Sequence, residues 1–373
     1  MTNEWRQGSI MSIPTEPIGS IPRPQYLVKA VDEFGAGRLD QTSLDKLYAR
    51  ALYDTIRRFE ATGSPVITDG EQAKPSFVAY PLHGLETMAS DGLIITFADG
   101  HTRQLPRLTV GPFSYRRRAD HYLKLALPLT NIPLKQAVIS ASALSLLYPP
   151  QGIDGYSKDA FLEDLVAEAV ADIRGCLEGG AHKVQIDFTE GRLALKLDPS
   201  KRLLRQFIDL NNRVLEHFTT EQQQRIGIHT CPGGDRDSTH SADVDYAELL
   251  PSLFDLKVGN FYVQLASERN PERALRVISE SIAPGQRVFV GVIDVLSKSV
   301  ETPEQVRDRV LKAAEYLPVG QLGTTDDCGF SPFGDDTSRG RDVAFAKIHA
   351  RVVGTQLAAE ALRQSPCGGA RPA

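Results

Sequence analysis

No stretch of this 373-residue chain is apolar for long enough to cross a bilayer, and no signal-peptide pattern opens it. A membrane role is therefore not expected. Cysteine is scarce: there are four, of which Cys176 falls in a helical pattern and Cys367 in the carboxyl-terminal tail, so neither suits a disulfide. That usage fits a reducing cytoplasm. Charge of one sign is lacking too, since 42 Lys and Arg face 47 Asp and Glu for a net charge of −5. Such mild acidity argues against a nucleic-acid surface. The run Arg116-Arg117-Arg118 reads as a solvated loop face, with a phosphate or polyglutamate patch as the other reading. Also absent are the CxxC knuckle of structural zinc sites, the lysine of a P-loop and the ligand spacing of a calcium loop, although HTCPGGDRDSTHSADVDY is rich in Gly and Asp.

What is present is a regular alternation. Apolar β-rich runs recur at residues 16–20, 66–70, 136–141, 183–188, 225–230, 260–265, 287–292 and 321–326, with amphipathic helical patterns between them. FLEDLVAEAVADIRGCLEGG ends on Gly-Gly, SKRLLRQFIDLNNRVLEHF opens on a serine cap at Ser200, and TPEQVRDRVLKAAEYL carries a capping box of Thr302 with Gln305. Strands alternating with helices imply a parallel sheet, and eight such units favour a single (β/α)8 TIM-type barrel over residues 13–363 rather than an open doubly wound sheet. Residues 72–132 interrupt the repeat. Their runs LIITFADG and RQLPRLTVGPF, joined by DGHT, predict an inserted hairpin with a short helix, either a lid or substrate wall at the barrel mouth or an oligomerising insertion. Residues 1–12 and 364–373 read as disordered termini.

Active sites of such barrels form at the carboxyl ends of the strands, and polar residues gather there in this chain. They include Ser20, Asp69, Glu71, Asp187, Glu190, His229, Cys231, Gln264, Asp294, Asp326, Asp327 and Cys328. His229 and Cys231, two apart on an extended segment, share one face, and Cys328 ends another strand. If those strands are neighbours, two thiolates and an imidazole converge, a set that suits zinc with an open fourth position for catalysis. The alternative is two cysteines buried as small apolar residues beside a satisfied core histidine.

Taken in order, PIGSIPRP, TDGEQ, VQID, the His-x-Cys strand and DCGF resemble the catalytic domain of cobalamin-independent methionine synthase, and more closely its shorter single-barrel relatives, methionine synthase II. The resemblance covers most of the chain. It implies that His229, Cys231 and Cys328 hold zinc, that Ile18, Gly19 and Ser20 touch homocysteine, and that Glu71 and Asp187 hold its amino group; strand-end hydrogen bonding to helix N-termini is the other reading of the two carboxylates. Glu190 joins them as a substrate-facing candidate. Two positions depart from the family pattern. The sixth-strand glutamate ligand is Gln264, which leaves Gln264, Glu268, a water or the substrate sulfur as fourth ligand. The seventh-strand histidine that donates a proton is Leu296, which leaves Asp294, Lys298 or water for that task.

The expectation is therefore zinc-dependent methyl transfer to homocysteine from a methylated folate or a corrinoid donor, with an accessory methyl-donor protein as an open partner. The related epoxyalkane:coenzyme M transferases supply a second reading, another alkyl electrophile passed to another thiol, for which Arg23 and Lys74 are the cations to inspect. A binding barrel that has lost catalysis is a third. His240 reads as substrate-facing or surface, while FSPFGDDTSRGRD predicts a cap for the last helix at Asp336 or Ser338, with Phe330 and Phe333 as walls of an apolar pocket. Donor, thiol and oligomeric state stay open.

Overall fold

The computed structural model describes residues 12–364. The expected disordered termini lie outside that range, Ser12 and Gln364 excepted. Six of the apolar runs form strands: β1 (Lys135–Ile139), β2 (Lys183–Asp187), β3 (Ile226–Thr230), β4 (Asn260–Val263), β5 (Arg287–Ile293) and β6 (Leu322–Asp326). Each pairs in parallel with the next in chain order, giving one six-stranded sheet. Parallel neighbours need a crossover, and the crossovers here include helices Lys158–Glu178, Arg202–Leu215, Pro271–Ser281 and Pro303–Ala314. With helices over one face and packed side chains on the other, the strands are buried along their length, which is why they read as continuous apolar runs such as RVFVGVI in β5.

Of the eight expected strands, six form the parallel ladder, and the first two segments contribute a single parallel bridge beyond each edge. Thr15 bridges to Thr324 of β6, and Ile67 bridges to Leu134 beside β1. The chemistry of the two segments explains why neither becomes a strand. In EPIGS, Pro17 has no N–H to donate and Gly19 sits at φ +149°. In VITDG, the Thr68 hydroxyl donates to the Gly19 carbonyl at 2.9 Å and accepts from the Gly70 amide at 3.1 Å, so side-chain bonds replace ladder bonds. One backbone bond, from the Ile21 amide to the Gly70 carbonyl at 3.0 Å, joins the two segments to each other. Glu16 anchors the first segment inward, accepting from Lys183 Nζ and from the Tyr262 hydroxyl, both at 2.6 Å.

The insertion forms its hairpin. Ile94–Thr96 pairs antiparallel with Thr102–Gln104, Met88–Ala89 pairs with Arg107–Leu108, and helix Asp120–Ala126 follows. Helix Pro303–Ala314 carries the reciprocal Thr302 and Gln305 cap. Two other caps are corrected. Helix Arg202–Leu215 begins after Lys201 in a left-handed conformation; Asp198 accepts from the Leu203 amide at 2.9 Å, and Ser200 Oγ accepts from the Arg202 amide at a longer 3.4 Å. Asp336 and Ser338 bond to each other ahead of the last helix, Arg341–Gln364, rather than capping it. No helix among the described residues is long and apolar enough to cross a membrane.

Candidate active site

Strand alternation turns Lys183, Gln185 and Asp187 of β2 toward one side of the sheet, and the register sets Asp187 opposite His229 of β3. Cys231 lies two residues on, and Cys328 follows the end of β6. The ligating atoms of His229, Cys231 and Cys328 fall within 4.8 Å of one another, all buried, and the two sulfurs are 3.1 Å apart. Neither ring nitrogen of His229 has a hydrogen-bond partner. A buried imidazole with both nitrogens orphaned costs free energy that a cation would recover. The Cys328 thiol is held well above its ordinary pKa by the hydrogen bond with Cys231 and by burial. A divalent cation would reverse that preference.

These residues border a cavity of about 240 Å³ at the carboxyl ends of the strands. Ile18, Ser20, Glu71, Asp187, Glu190, His229 and Cys328 all line it; Gly19 and Cys231 stand behind that first layer. Glu71 occupies a left-handed backbone position at φ +55°, a strained conformation for a side chain of this size, stabilised by the bond from its amide to Asp69 Oδ1 at 2.9 Å. Its carboxylate pairs with Lys74 Nζ at 3.0 Å. Burial raises the pKa of Glu71, with Lys74 opposing and Asp187 adding to the rise. Burial likewise raises Asp187, against the pull of His229, while Gln185 Nε2 donates to it at 2.8 Å. Glu190 opens helix Glu190–Leu197; its Oε1 accepts from the Ser140 hydroxyl at 2.6 Å and from Ser142, and its Oε2 has no partner. Burial pushes Glu190 up to about 7.

The remaining expected residues are placed elsewhere or otherwise engaged. Gln264 is buried beside a smaller cleft beyond Cys328, its amide nitrogen 3.0 Å from Ser267 Oγ. Glu268 forms an ion pair with the buried Arg192 at 3.0 Å, and among the described residues no fourth His, Cys, Asp or Glu joins the cluster. Asp294 caps its own loop, accepting from the Leu296 amide at 2.9 Å, and Lys298 is exposed; neither lines the cavity. Arg23 spends its guanidinium on backbone carbonyls of Ser331, Glu71 and Lys74, and Lys74 donates also to the Ala137 carbonyl at 2.8 Å. His240 faces the cavity, buried against Gly233, and burial pushes its pKa down to about 4. A Cβ on Gly233 would lie 1.7 Å from the His240 ring, so this glycine at φ +70° is required by the close approach.

The inserted hairpin, expected as a lid or substrate wall, does border the cavity, but the sequence did not say which of its residues would do so. Ile95, Phe97, Arg103 and Leu105 line the cavity, and Arg103 pairs with Asp235 at 2.5 Å and with Asp335 at 2.9 Å. Nothing in the alternation of a short hairpin marks which residues will meet a distant loop. Ser140 and Ser142, at the carboxyl end of β1, were also missed, though polar residues at a strand end are the signal already used for Asp187 and His229.

The family model described as Cobalamin-independent synthase, Catalytic domain, matches residues 13–352. The chain belongs to this family. Methionine synthase of Saccharolobus solfataricus is 20% identical over 363 residues, covering 94% of this chain and 96% of that protein. Methionine synthase of Sulfurisphaera tokodaii is 22% identical, with 94% of each covered. In fold, the chain is similar to the B12-independent methionine synthase of Shewanella sp. W3-18-1 in complex with selenomethionine, at a TM-score of 0.75 and 20% identity over 94% of this chain and 99% of that one. A putative vitamin-B12 independent methionine synthase of Listeria monocytogenes gives 0.70 at 19% identity, covering 94% and 98%.

Proposed function

We propose that this member of the cobalamin-independent synthase family transfers a methyl group to the sulfur of homocysteine in a zinc-dependent reaction. The observation that carries the reading is the convergence of His229, Cys231 and Cys328 on a cavity that also holds Glu71 and Asp187. Two thiols and an unpartnered imidazole are the donors zinc prefers. Bound there, zinc would lower the pKa of the substrate thiol so that thiolate is present near neutral pH. The chain's own residues do the rest. Glu71 and Asp187 offer charge-assisted acceptors to the ammonium group of the amino acid, Ile18 and Ser20 bound its backbone end, and the apolar wall keeps water from the nucleophile.

A sulfonate-bearing thiol fits less well. Arg23 and Lys74 are committed to partners within the fold, and the lining cation Arg103 is paired with two carboxylates. Asp294 and Lys298 carry no part of this reading, because neither borders the cavity. A catalytic zinc site predicts about one zinc per chain in purified protein. Cys231→Ser with Cys328→Ser should remove it, and stoichiometric zinc in that double variant would overturn the assignment. Glu71→Gln or Asp187→Asn should weaken homocysteine against its desamino analogue by about 1.5 to 3 kcal/mol, roughly ten- to a hundredfold in affinity. Equal losses for both ligands would show that the carboxylates do not bind the amino group.

A further inference from the structure

Two imidazoles line the cavity, and only one of them belongs to the thiol cluster. His240 is the other. Its hydrogen bonds decide which ring nitrogen carries the proton. The Ser241 hydroxyl donates to the Pro232 carbonyl at 3.1 Å, and the same oxygen lies 2.8 Å from His240 Nδ1. A hydroxyl has one proton to give. With that proton on Pro232, Ser241 Oγ accepts from the ring, so Nδ1 carries the hydrogen and Nε2 keeps its lone pair. The His240 amide to the Gly233 carbonyl and the Ser241 amide to the Pro232 carbonyl, both at 3.2 Å, hold this pair of residues against the segment that follows Cys231. Among the described residues Nε2 has no hydrogen-bond partner, but unlike the His229 nitrogens it is not fully enclosed by the fold. It lies close to the thiols. A Cβ on Gly233 would strike Nε2 itself, and a Cβ on the next residue, Gly234, would come within 4.0 Å of Cys328 Sγ. The other acceptors on the cavity wall have work already: Glu71 and Asp187 are the proposed partners of the ammonium group, and Glu190 is held by Ser140 and Ser142.

We propose that His240 is the catalytic base that takes the proton from the substrate thiol. This rests on the thiol methylation proposed above. The S–H bond breaks, its electron pair stays on sulfur, and the proton forms a bond to Nε2 while Nδ1–H stays on Ser241. Nothing is oxidised or reduced. A neutral base suits the task, because a carboxylate in its place would repel the thiolate as it forms, whereas imidazole becomes a cation beside an anion. Burial pushes the pKa of His240 down to about 4, with Lys196 and Arg192 adding to the fall and Asp243 opposing it. The ring is therefore neutral before the thiol arrives, and its imidazolium passes the proton on to water.

The test uses the full chain loaded with cobalt in place of zinc, whose absorption changes when a thiolate becomes a ligand, and homocysteine as the only added substrate. After rapid mixing, His240→Ala should develop the thiolate band at least about tenfold more slowly than the wild type. Its final amplitude and its homocysteine affinity should be unchanged. The variant's rate, unlike that of the wild type, should rise with the concentration of a small external base such as 2-methylimidazole. Ser241→Ala, which frees the ring to hold its proton on Nε2, should slow the band by a smaller factor. If the alanine variant does not fold, His240→Gln should be as slow, and a wild-type rate in it would overturn the proposal. A wild-type rate in His240→Ala, or a slow rate indifferent to added base, would also overturn it while leaving thiol methylation intact. Failure of the metal-loaded wild type to bind homocysteine would instead overturn the reading on which the proposal rests, and the proposal with it.

Discussion

At the scale of single residues, the site is defined by groups whose ordinary partners are missing. Glu190 shows what this costs. Burial holds its pKa near 7 against an ordinary value of 4.5, so across that window the folded chain keeps a proton that the unfolded chain has released. Stability attributable to this group is therefore greatest below the ordinary carboxylate range and declines as pH rises through about 7. Glu190→Gln keeps the size and the acceptor for Ser140 and Ser142 but never ionises. The variant should gain on the wild type by on the order of 3 kcal/mol between about pH 4 and about pH 8. Urea unfolding of both proteins at the two pH values measures it, and parallel shifts would show that Glu190 is solvated in solution. Residues of this kind were legible as polar strand ends. Their pairing was not, since whether Glu71 meets Lys74 or a ligand depends on a left-handed backbone position that TDGEQ does not announce.

At the scale of elements, the hairpin of the insertion is tied to distant loops by charge as well as by the buried side chains of Phe97 and Leu105. Arg103 joins the fully buried Asp235, next to the thiol strand, and the half-exposed Asp335, before the last helix. His101 adds a contact to Asp235 at 3.0 Å, and the Ala98 amide donates to the Thr239 carbonyl at 2.9 Å. Removing one member of a buried pair leaves the other charge uncompensated, at about 3 kcal/mol or more. Arg103→Leu should lower stability by about that much and should speed amide exchange in residues 94–104 ahead of the sheet. Exchange unchanged there would mean that apolar contacts alone hold the hairpin. The hairpin itself was readable from alternation around DGHT, and the helices from their periodicity and the Thr302 box. The first two strands were misread because an apolar run does not reveal that Pro17 lacks a donor in the ladder or that Thr68 will bond sideways. A pattern records which side chains can be buried, not which backbone groups find partners.

At the scale of the whole molecule, the sheet is continuous from β1 to β6 and weakest at its two single-bridge edges. Opening should start at the seam between residues 15–21 and 66–70, where few backbone bonds are lost. Hydrogen exchange should find the Glu16 and Ile67 amides, bonded to Thr324 and Pro133, less protected than those of β4. Uniform protection would indicate a continuous eight-fold ladder in solution. Family and fold class could be read from the order of short motifs because each sits at a strand end, where chemistry restricts the residue. Which residues of the insertion would line the cavity could not, since their path is fixed only in the folded chain. The spacing of the residues proposed to hold zinc also bears on biosynthesis. Cys231 and Cys328 are 97 residues apart, and Ser20 meets the segment around Ser331 through a bond spanning 311 positions. A nascent chain on the ribosome would thus display its carboxylates and His229 long before the second thiol emerges, and could acquire the proposed cation at full affinity only after Cys328 is made. Under the proposed function metal loading is a late event in synthesis, and a chain truncated before Cys328 lacks one of the three candidate ligands.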